Sequence, residues 1–413
     1  MMFRFHFHPI STLALILFAT SIIPCSAREV NSHSEKYPET KTGIDVLEEE
    51  HFSPLQGKRV GLITNQTGVD AEGRRTIDVL AHASGVTLVA IFSPEHGIEG
   101  RADSAVGNSI DSATGLPIYS LYGDTRRPTD AMLRGLDALV FDIQDAGVRF
   151  YTFTTTMAYC MEAAAKNHIE FVVLDRPDIL GGEVIEGPML DADRTSFVGY
   201  FPEPVRYAMT LGELARMFNA ENKIGADLHV VEMKGWRRSE TFDLTGLKWI
   251  PPSPNLRSVD ADFLYPGIEI LQAGDVSVGR GTDAPFQIIG APWINAKALE
   301  AALKRWKMAG VRFRAATFTP SSGLHHGELC QGVTIEIVDR DKIRSMKMCL
   351  EIAETLRRMY PKEFQIEKII ELLGSQSTLV QLEKEAPIES ILKSWEPQLD
   401  RFRATRAKYL IYP

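Results

Sequence analysis

The sequence is poor in cysteine. Its 413 residues include four cysteines, and three of them, Cys160, Cys330 and Cys349, lie beyond the N-terminal segment at irregular spacing. An odd number of irregularly spaced cysteines does not predict a disulfide framework, although a bond between Cys330 and Cys349 stays open. Cys160 lies in an apolar helical stretch, so we expect it to be a buried core thiol.

The chain also lacks the short motifs that hold metals and nucleotides, and it has no excess of positive charge. CxxC, HExxH and P-loop patterns are absent, and no GxGxxG follows the first predicted strand. We therefore expect no metal and no cofactor. The net charge is -9, which disfavours nucleic acid and anionic lipid as partners. The length favours two domains, or three.

The N-terminus carries an apolar stretch that is too short to span a membrane. Residues 10–23 are mostly apolar, and Cys25 opens a run of small residues that ends at Ala27. This pattern predicts a signal peptide over residues 1–27 and a periplasmic or secreted protein with no membrane-spanning segment after cleavage. Lipidation of Cys25 and an uncleaved anchor are the alternatives, but Pro24 fits a lipidation site poorly.

A regular alternation of strands and helices follows a polar leader, residues 28–42, which we expect to be disordered. Short apolar strands are predicted at 59–64, 86–92, 118–121, 138–143, 171–174 and 229–233. Helices are predicted at 76–83, 131–136 and 155–166, and from Thr210, where Glu213 completes a capping box. This order predicts an α/β fold with a Rossmann-like, doubly wound, mostly parallel sheet over residues 43–258. The prolines at 251, 252 and 254 end it, and a strand at 333–338 and a helix at 342–359 predict a smaller α+β domain over residues 259–413.

Polar residues gather directly after four of the predicted strands. Ligands of an open α/β sheet bind beyond the carboxyl ends of its strands, so these residues are candidates for one site. The candidates in chain order are Asn65, then Glu95 and His96, then Gln144, Asp145, Arg149 and Tyr151, and finally Asp175 and Arg176.

Several of these candidates also have a purely structural interpretation. Asp145 and Arg149 are four residues apart and could pair with each other. Asp175 and Arg176 could form an ion pair in their loop. Glu95 could cap its loop, and Tyr151 could be a core aromatic.

Ten ordered stretches of the chain resemble the exo-acting β-N-acetylmuramidase family of bacterial peptidoglycan recycling. The resemblance covers residues 43–413 and is specific to these stretches. The matching segments are residues 60–68, 93–97, 142–153, 174–177, 186–188, 252–255, 265–267, 279–282, 290–293 and 327–330.

The resemblance implies a cleft between a Rossmann-like domain and a smaller domain, and the release of terminal N-acetylmuramic acid from non-reducing ends of peptidoglycan fragments. Those fragments would be muropeptides or the disaccharide of N-acetylmuramic acid and N-acetylglucosamine. It implies that Glu95 is the catalytic glutamate, which would act as the acid. His96 could hydrogen-bond Glu95, and Asp145 or the 2-acetamido group of the substrate could be its partner.

The remaining candidates would bind the substrate. An arginine can clamp the lactyl carboxylate of the sugar, and Arg149, Arg176 and Arg280 are the candidates for that role. The full set of predicted substrate-binding residues is Asn65, Gln144, Arg149, Tyr151, Asp175, Arg176, Glu186, Asn255 and Arg280.

The chain departs from the family pattern at three positions. Gln272 and Val278 stand where many members have acidic residues, and Tyr207 stands where many have histidine. These departures motivate an alternative, a cell-wall sugar receptor without catalytic activity. A second alternative is a metal-dependent esterase that uses Asp142, Asp145 and His96.

Overall fold

The computed structural model describes residues 39–102 and 104–413. The predicted signal peptide, residues 1–27, lies outside the described residues, as does most of the predicted leader. The end of that leader is ordered rather than disordered, because Lys41 forms a β-bridge with Lys234 and the Thr42 hydroxyl bonds the Asp45 carboxylate of the first helix. No helix of the described residues is long and apolar enough to cross a membrane.

Three sheets organise the described chain. The strands are β1 (Arg59–Thr64), β2 (Thr87–Ser93), β3 (Ser109–Ile110), β4 (Pro117–Ser120), β5 (Ala138–Asp142), β6 (Glu170–Leu174), β7 (Glu186–Met189), β8 (Pro204–Arg206), β9 (Leu228–Val231), β10 (Ile288–Ala291), β11 (Val311–Phe318) and β12 (Cys330–Ile337). The largest sheet has seven strands in the order β3-β4-β2-β1-β5-β6-β9. All its pairings are parallel except β3 with β4.

The described residues form ten α-helices, and the first four cover the two faces of this sheet. The helices are α1 (Gly43–Glu49), α2 (Thr76–His82), α3 (Phe153–Lys166), α4 (Leu211–Glu221), α5 (Val259–Gln272), α6 (Ala296–Lys304), α7 (Ser345–Met359), α8 (Ile370–Leu373), α9 (Gln376–Glu383) and α10 (Ile388–Arg406). Along β1, Val60 and Leu62 pack into one apolar cluster with α1 and α2, whereas Ile63 packs into another with α3 and α4. A strand that is buried on both sides needs residues without charge or large polar groups in its interior, and β1 has these from Val60 to Ile63.

The predicted α/β class and the doubly wound sheet are confirmed, and helix α4 begins with the expected capping box of Thr210 and Glu213. One predicted helix is wrong. Residues 131–135 form turns and residue 136 lies outside any helix, because Gly135 adopts the left-handed region at φ 76° and interrupts the segment. Helix α5, which contains Pro266, was not predicted.

The residues after α5 form a smaller α+β arrangement. Strands β10, β12 and β11 make an antiparallel sheet in that order. The predicted strand at 333–338 and the predicted helix at 342–359 correspond to β12 and α7. The three cysteines of the described residues are free and buried, so Cys330 and Cys349 do not pair.

Candidate active site

Glu95 lies in the loop that follows β2, at the ligand-binding edge of the parallel sheet. Its Oε2 accepts a hydrogen bond from Thr152 Oγ1 at 2.5 Å, and the Tyr122 hydroxyl also bonds its carboxylate. Burial, helped by this bond to Glu95, raises the pKa of Tyr122 to about 12, so that hydroxyl keeps its proton at neutral pH. Glu95 is half-buried and lines an open cleft. Two hydroxyl groups therefore fix it beside a space that a ligand can enter.

His96 also lines this cleft, on a sharply turned backbone. Its φ is 70° and that of Gly97 is 72°, a left-handed conformation that few residues other than glycine adopt. Its ring Nδ1 lies 2.7 Å from the Ala102 carbonyl oxygen. Because a carbonyl oxygen can only accept, Nδ1 carries the proton of this hydrogen bond and donates it. The expected hydrogen bond between His96 and Glu95 stays a prediction.

Helix α5 supplies another part of the cleft wall. Tyr265, Glu269 and Gln272 are four and three residues apart, so they share one face of the helix, and all three line the cleft. Glu269 is 8% exposed. Burial raises the pKa of Glu269; the charge of Arg280 opposes this shift and the charge of Glu95 adds to it. The cleft therefore holds two carboxyl groups, and the charge of Glu95 acts on Glu269.

Arg280 connects Glu269 with Gln272. Its Nη2 donates to Glu269 Oε1 at 2.6 Å, and its Nε donates to Gln272 Oε1 at 3.0 Å. Its guanidinium also lies over the Phe286 ring, 5.2 Å from the centroid. The side chain is 26% exposed and lines the cleft. Of the three arginines proposed as a carboxylate clamp, Arg280 is the one placed beside Glu95.

The cleft has a volume of about 480 Å³, within the range of pockets that take small ligands. Two further predicted residues, Tyr151 and Asn255, line it. The ring of Tyr151 packs edge-on against Tyr265, with 6.1 Å between centroids. The cleft wall contains residues from both predicted domains, that is, from residues 43–258 and from residues 259–413. The structure thus brings together five predicted residues: Glu95, His96, Tyr151, Asn255 and Arg280.

Two predicted residues, Gln144 and Arg176, line a different cavity of about 250 Å³, which we call the switch-point pocket. Its wall includes Thr67 after β1, Gln144 after β5 and Arg176 after β6. Arg176 is 7% exposed and pairs with buried Asp142, with 2.6 Å between Arg176 Nε and Asp142 Oδ1. Gln144 Nε2 donates to the Pro177 carbonyl at 2.8 Å. The ion pair of Arg176 is therefore with Asp142 and not with Asp175.

Asn65 and Asp145 are buried and do not line the Glu95 cleft. Asn65 Oδ1 accepts from the Thr67 backbone N–H at 2.9 Å, which fixes the turn after β1. Asp145 accepts from the Gly147 backbone N–H at 2.8 Å and from the Tyr207 hydroxyl. Burial raises the pKa of Asp145 to about 6. Asp145 is therefore not placed as the partner of Glu95, nor does it pair with Arg149.

Arg149 is a buried structural residue rather than a ligand clamp. It is 1% exposed, and its two terminal nitrogens donate to the backbone carbonyls of Pro188, Glu203, Leu372 and Leu373 at 2.8 to 3.0 Å. Burial lowers the pKa of Arg149 to about 10. These four bonds join segments that precede and follow α5 in the chain. The guanidinium is therefore engaged inside the protein, and the structure contradicts the predicted role of Arg149 as a clamp for a substrate carboxylate.

Asp175 and Glu186 are likewise engaged inside the protein. Asp175 is fully buried and accepts from the Thr210 hydroxyl at 2.7 Å and the Tyr412 hydroxyl at 2.6 Å. Glu186 accepts from the backbone N–H of Ser345 at 3.2 Å, at the start of α7. Both carboxylates hold chain segments together, so the structure places neither of them in the cleft.

Two sequence models of a single family match the chain along almost all of its described length. The model described as exo-β-N-acetylmuramidase NamZ, N-terminal, matches residues 60–260. The corresponding C-terminal model matches residues 263–412. The chain belongs to this family.

One named relative and two solved structures are also similar to this chain. The peptidoglycan β-N-acetylmuramidase NamZ of Bacillus subtilis (strain 168) is 44% identical over 403 residues, which cover 96% of this chain and 97% of the relative. Two crystal structures of DUF1343 family proteins from Bacteroides fragilis NCTC 9343 share the fold. One has a TM-score of 0.84 and 41% identity, the other a TM-score of 0.74 and 31% identity. Each match covers 91% of this chain and 99% of that protein.

The three departures from the NamZ-family pattern have different surroundings. Gln272 lines the cleft, and its amide oxygen accepts from Arg280 as a carboxylate would. Val278 is 1% exposed in the apolar core, and Tyr207 is fully buried with its hydroxyl on Asp145. The departure that reaches the cleft therefore keeps a hydrogen-bond acceptor for Arg280.

The residues of the esterase alternative do not form one ligand set. Asp142 is paired with Arg176, and Asp145 accepts a hydrogen bond from Tyr207. The Nδ1 of His96 is hydrogen-bonded to the Ala102 carbonyl oxygen. Within residues 39–102 and 104–413, no three or more His, Cys, Asp or Glu side chains are grouped so that they could hold a metal ion.

Sequence reasoning missed Tyr122, Thr152 and Glu269. Thr152 belongs to the stretch 142–153 that carries the family resemblance, but it lies 57 residues from Glu95 in the sequence. Glu269 lies two residues beyond the Tyr265-Pro266-Gly267 motif. Because α5 was not predicted, the helical spacing that aligns Tyr265, Glu269 and Gln272 could not be used.

Proposed function

We propose that this protein is an exo-acting β-N-acetylmuramidase that releases terminal N-acetylmuramic acid from the non-reducing ends of peptidoglycan fragments. The observation that carries the proposal is the 44% identity, over 96% of the chain, to a peptidoglycan β-N-acetylmuramidase. The cleft supports it, because it holds two carboxyl groups, as most glycosidases require.

Glu95 is the proton donor in this proposal. Glycoside hydrolysis needs an acid that protonates the leaving oxygen while positive charge develops on the sugar. Glu95 is fixed by Thr152 and Tyr122 and borders the cleft, so its carboxyl group can meet a bound glycosidic oxygen. Its position after β2 agrees with the catalytic glutamate that the family resemblance implies.

Arg280 and Asn255 bind the sugar in this proposal. The lactyl group of N-acetylmuramic acid carries a carboxylate, and Arg280 brings positive charge to the cleft wall. Asn255 is 5% exposed and lines the same cleft, where its amide can both donate and accept. The substrates are muropeptides or the disaccharide of N-acetylmuramic acid and N-acetylglucosamine.

The direct test is incubation of the purified protein with this disaccharide and with defined muropeptides, followed by mass spectrometry of the products. We expect free N-acetylmuramic acid from fragments that carry it at the non-reducing end. Fragments that end in N-acetylglucosamine should stay intact, which is the matched control. Binding of N-acetylmuramic acid without any product would instead favour the receptor alternative.

We also propose that the protein is exported to the periplasm or secreted, since residues 1–27 have the pattern of a signal peptide. Mass spectrometry of the exported protein should find a chain that begins at Arg28. A retained N-terminus or a lipid on Cys25 would contradict this proposal.

A further inference from the structure

Glu269 stands out among the buried carboxylates because it lines the Glu95 cleft. It is 8% exposed, and its Oε1 accepts from Arg280 Nη2 at 2.6 Å. Its Oε2 is shielded from solvent and has no hydrogen-bond partner among residues 39–102 and 104–413. A buried acceptor without a donor costs folding free energy. Glu269 Oε2 is such an acceptor, and it belongs to a residue in the wall of a cleft large enough for a ligand.

The electrostatic surroundings also connect Glu269 with Glu95. Burial raises the pKa of Glu269, and the negative charge of Glu95 contributes to the same direction, while Arg280 opposes it. The charge of Glu95 therefore reaches Glu269, and the ion pair with Arg280 supports a negative charge on Glu269.

We propose that Glu269 is the second catalytic carboxylate of the cleft and that it stabilises the positive charge that develops on the sugar. This inference rests on the proposed glycosidase function. It also replaces Asp145, which sequence reasoning considered for this role and which does not line the cleft.

Glu95 gives its proton to the glycosidic oxygen, and the bond from that oxygen to the anomeric carbon breaks with its electron pair staying on the oxygen. The positive charge on the anomeric carbon and ring oxygen faces the Glu269 carboxylate. Water then forms a bond to the anomeric carbon and returns one proton to Glu95.

The test compares Glu269→Gln with a matched control, Glu354→Gln. Glu354 is also a buried helical glutamate, at 3% exposure. Its Oε1 pairs with Arg358 at 2.5 Å, and its Oε2 likewise has no hydrogen-bond partner in the described chain. It lies on α7 and does not line the cleft. The two substitutions therefore remove the same kind of charge inside and outside the proposed site.

We expect Glu269→Gln to lower kcat by about 10²–10³-fold, the loss typical of removing one electrostatic contact to a transition state. KM and the melting temperature should change little, because the amide still accepts from Arg280. Glu354→Gln should keep the kcat of the wild type. A small carboxylate such as formate should restore turnover to Glu269→Ala, which a merely structural role would not predict.

Three outcomes would overturn this inference: Glu269→Gln that keeps more than about a tenth of the wild-type kcat, an equal loss in Glu354→Gln, or no effect of formate on Glu269→Ala. These outcomes are distinct from failure of the proposed function. If the wild type itself releases no N-acetylmuramic acid, the proposed function fails, and with it the role of Glu269.

Discussion

Two cavities lie near the carboxyl edge of the large sheet, and they differ in how their charged groups are used. In the switch-point pocket, Arg176 is paired with Asp142, and both are almost fully buried. In the cleft, Glu95 is half-buried and Arg280 is partly exposed. Both cavities satisfy the rule that ligands bind beyond strand ends. Arg280 is also paired, with Glu269, but its side chain is more exposed than that of Arg176, so the exposure of a charged residue to the cavity, and not the presence of an ion-pair partner, distinguishes a site residue from a structural one.

The largest expected effect is on turnover, from Glu95→Gln. The amide keeps the shape of the side chain but cannot donate a proton as an acid does, so kcat should fall by about 10²–10⁴-fold. Kinetics with the disaccharide, together with a melting curve, measure this. An unchanged melting curve with more than about a tenth of the turnover would remove Glu95 as the acid.

The next largest effect is on stability, from Arg176→Met in the switch-point pocket. This change leaves the Asp142 carboxylate buried without its partner, which should cost about 3–5 kcal/mol of unfolding free energy. Denaturant unfolding measures that cost. The kcat of the folded fraction should stay at the wild-type value, and a large loss of kcat in folded protein would show that the substrate reaches this pocket after all.

A smaller effect concerns Asp145 and pH. The pKa of its carboxyl is raised to about 6 by burial, against about 3.9 in an unfolded chain. The folded state therefore holds more protons in this range, and the stability that Asp145 contributes is present below about pH 4 and is lost as pH rises through about 6.

We therefore expect Asp145→Asn to flatten the decline of unfolding free energy between about pH 4 and 6, by up to about 1.4 kcal/mol per pH unit. Denaturant unfolding across this range, for wild type and variant in parallel, isolates the contribution. Turnover should be largely kept. A catalytic Asp145 would instead lose turnover in Asp145→Asn while the variant stays folded.

The smallest effects come from a pair of asparagines. Asn255→Ala, in the cleft, should raise KM by a few-fold, since one hydrogen bond contributes about 0.5–1.5 kcal/mol, and should leave stability unchanged. Asn65→Ala, in the turn after β1, should lower the unfolding free energy by about 1 kcal/mol without changing KM. If the two variants changed KM and unfolding free energy in the same way, the distinction between a cleft residue and a structural residue would be contradicted.

The fold could be predicted largely from local patterns. Strand β1 was located at its observed bounds, because six consecutive residues read as one buried strand. The capping box of Thr210 and Glu213 located the start of α4. Helix α5 was missed because Pro266 lies inside it, and a proline usually argues against a helix interior. The predicted division at residue 258 stays a prediction.

The candidate site could be predicted only in part, because strand ends do not reveal partners that are distant in sequence. The carbonyls bound by Arg149 come from Pro188, Glu203 and residues 372–373, and Asp175 is held by Tyr412, 237 residues away. Such contacts decide whether a charge faces a ligand or the interior, and no local pattern contains them.

The most direct test of the central claim is a crystal structure of Glu95→Gln with the disaccharide of N-acetylmuramic acid and N-acetylglucosamine. The variant should bind the substrate without cleaving it. The account predicts the terminal sugar in the cleft, with its glycosidic oxygen about 3 Å from the side chain of residue 95, a hydrogen-bond distance. Glu269 should lie beside the anomeric carbon of that sugar. A sugar in the switch-point pocket, against Gln144 and Arg176, would contradict it.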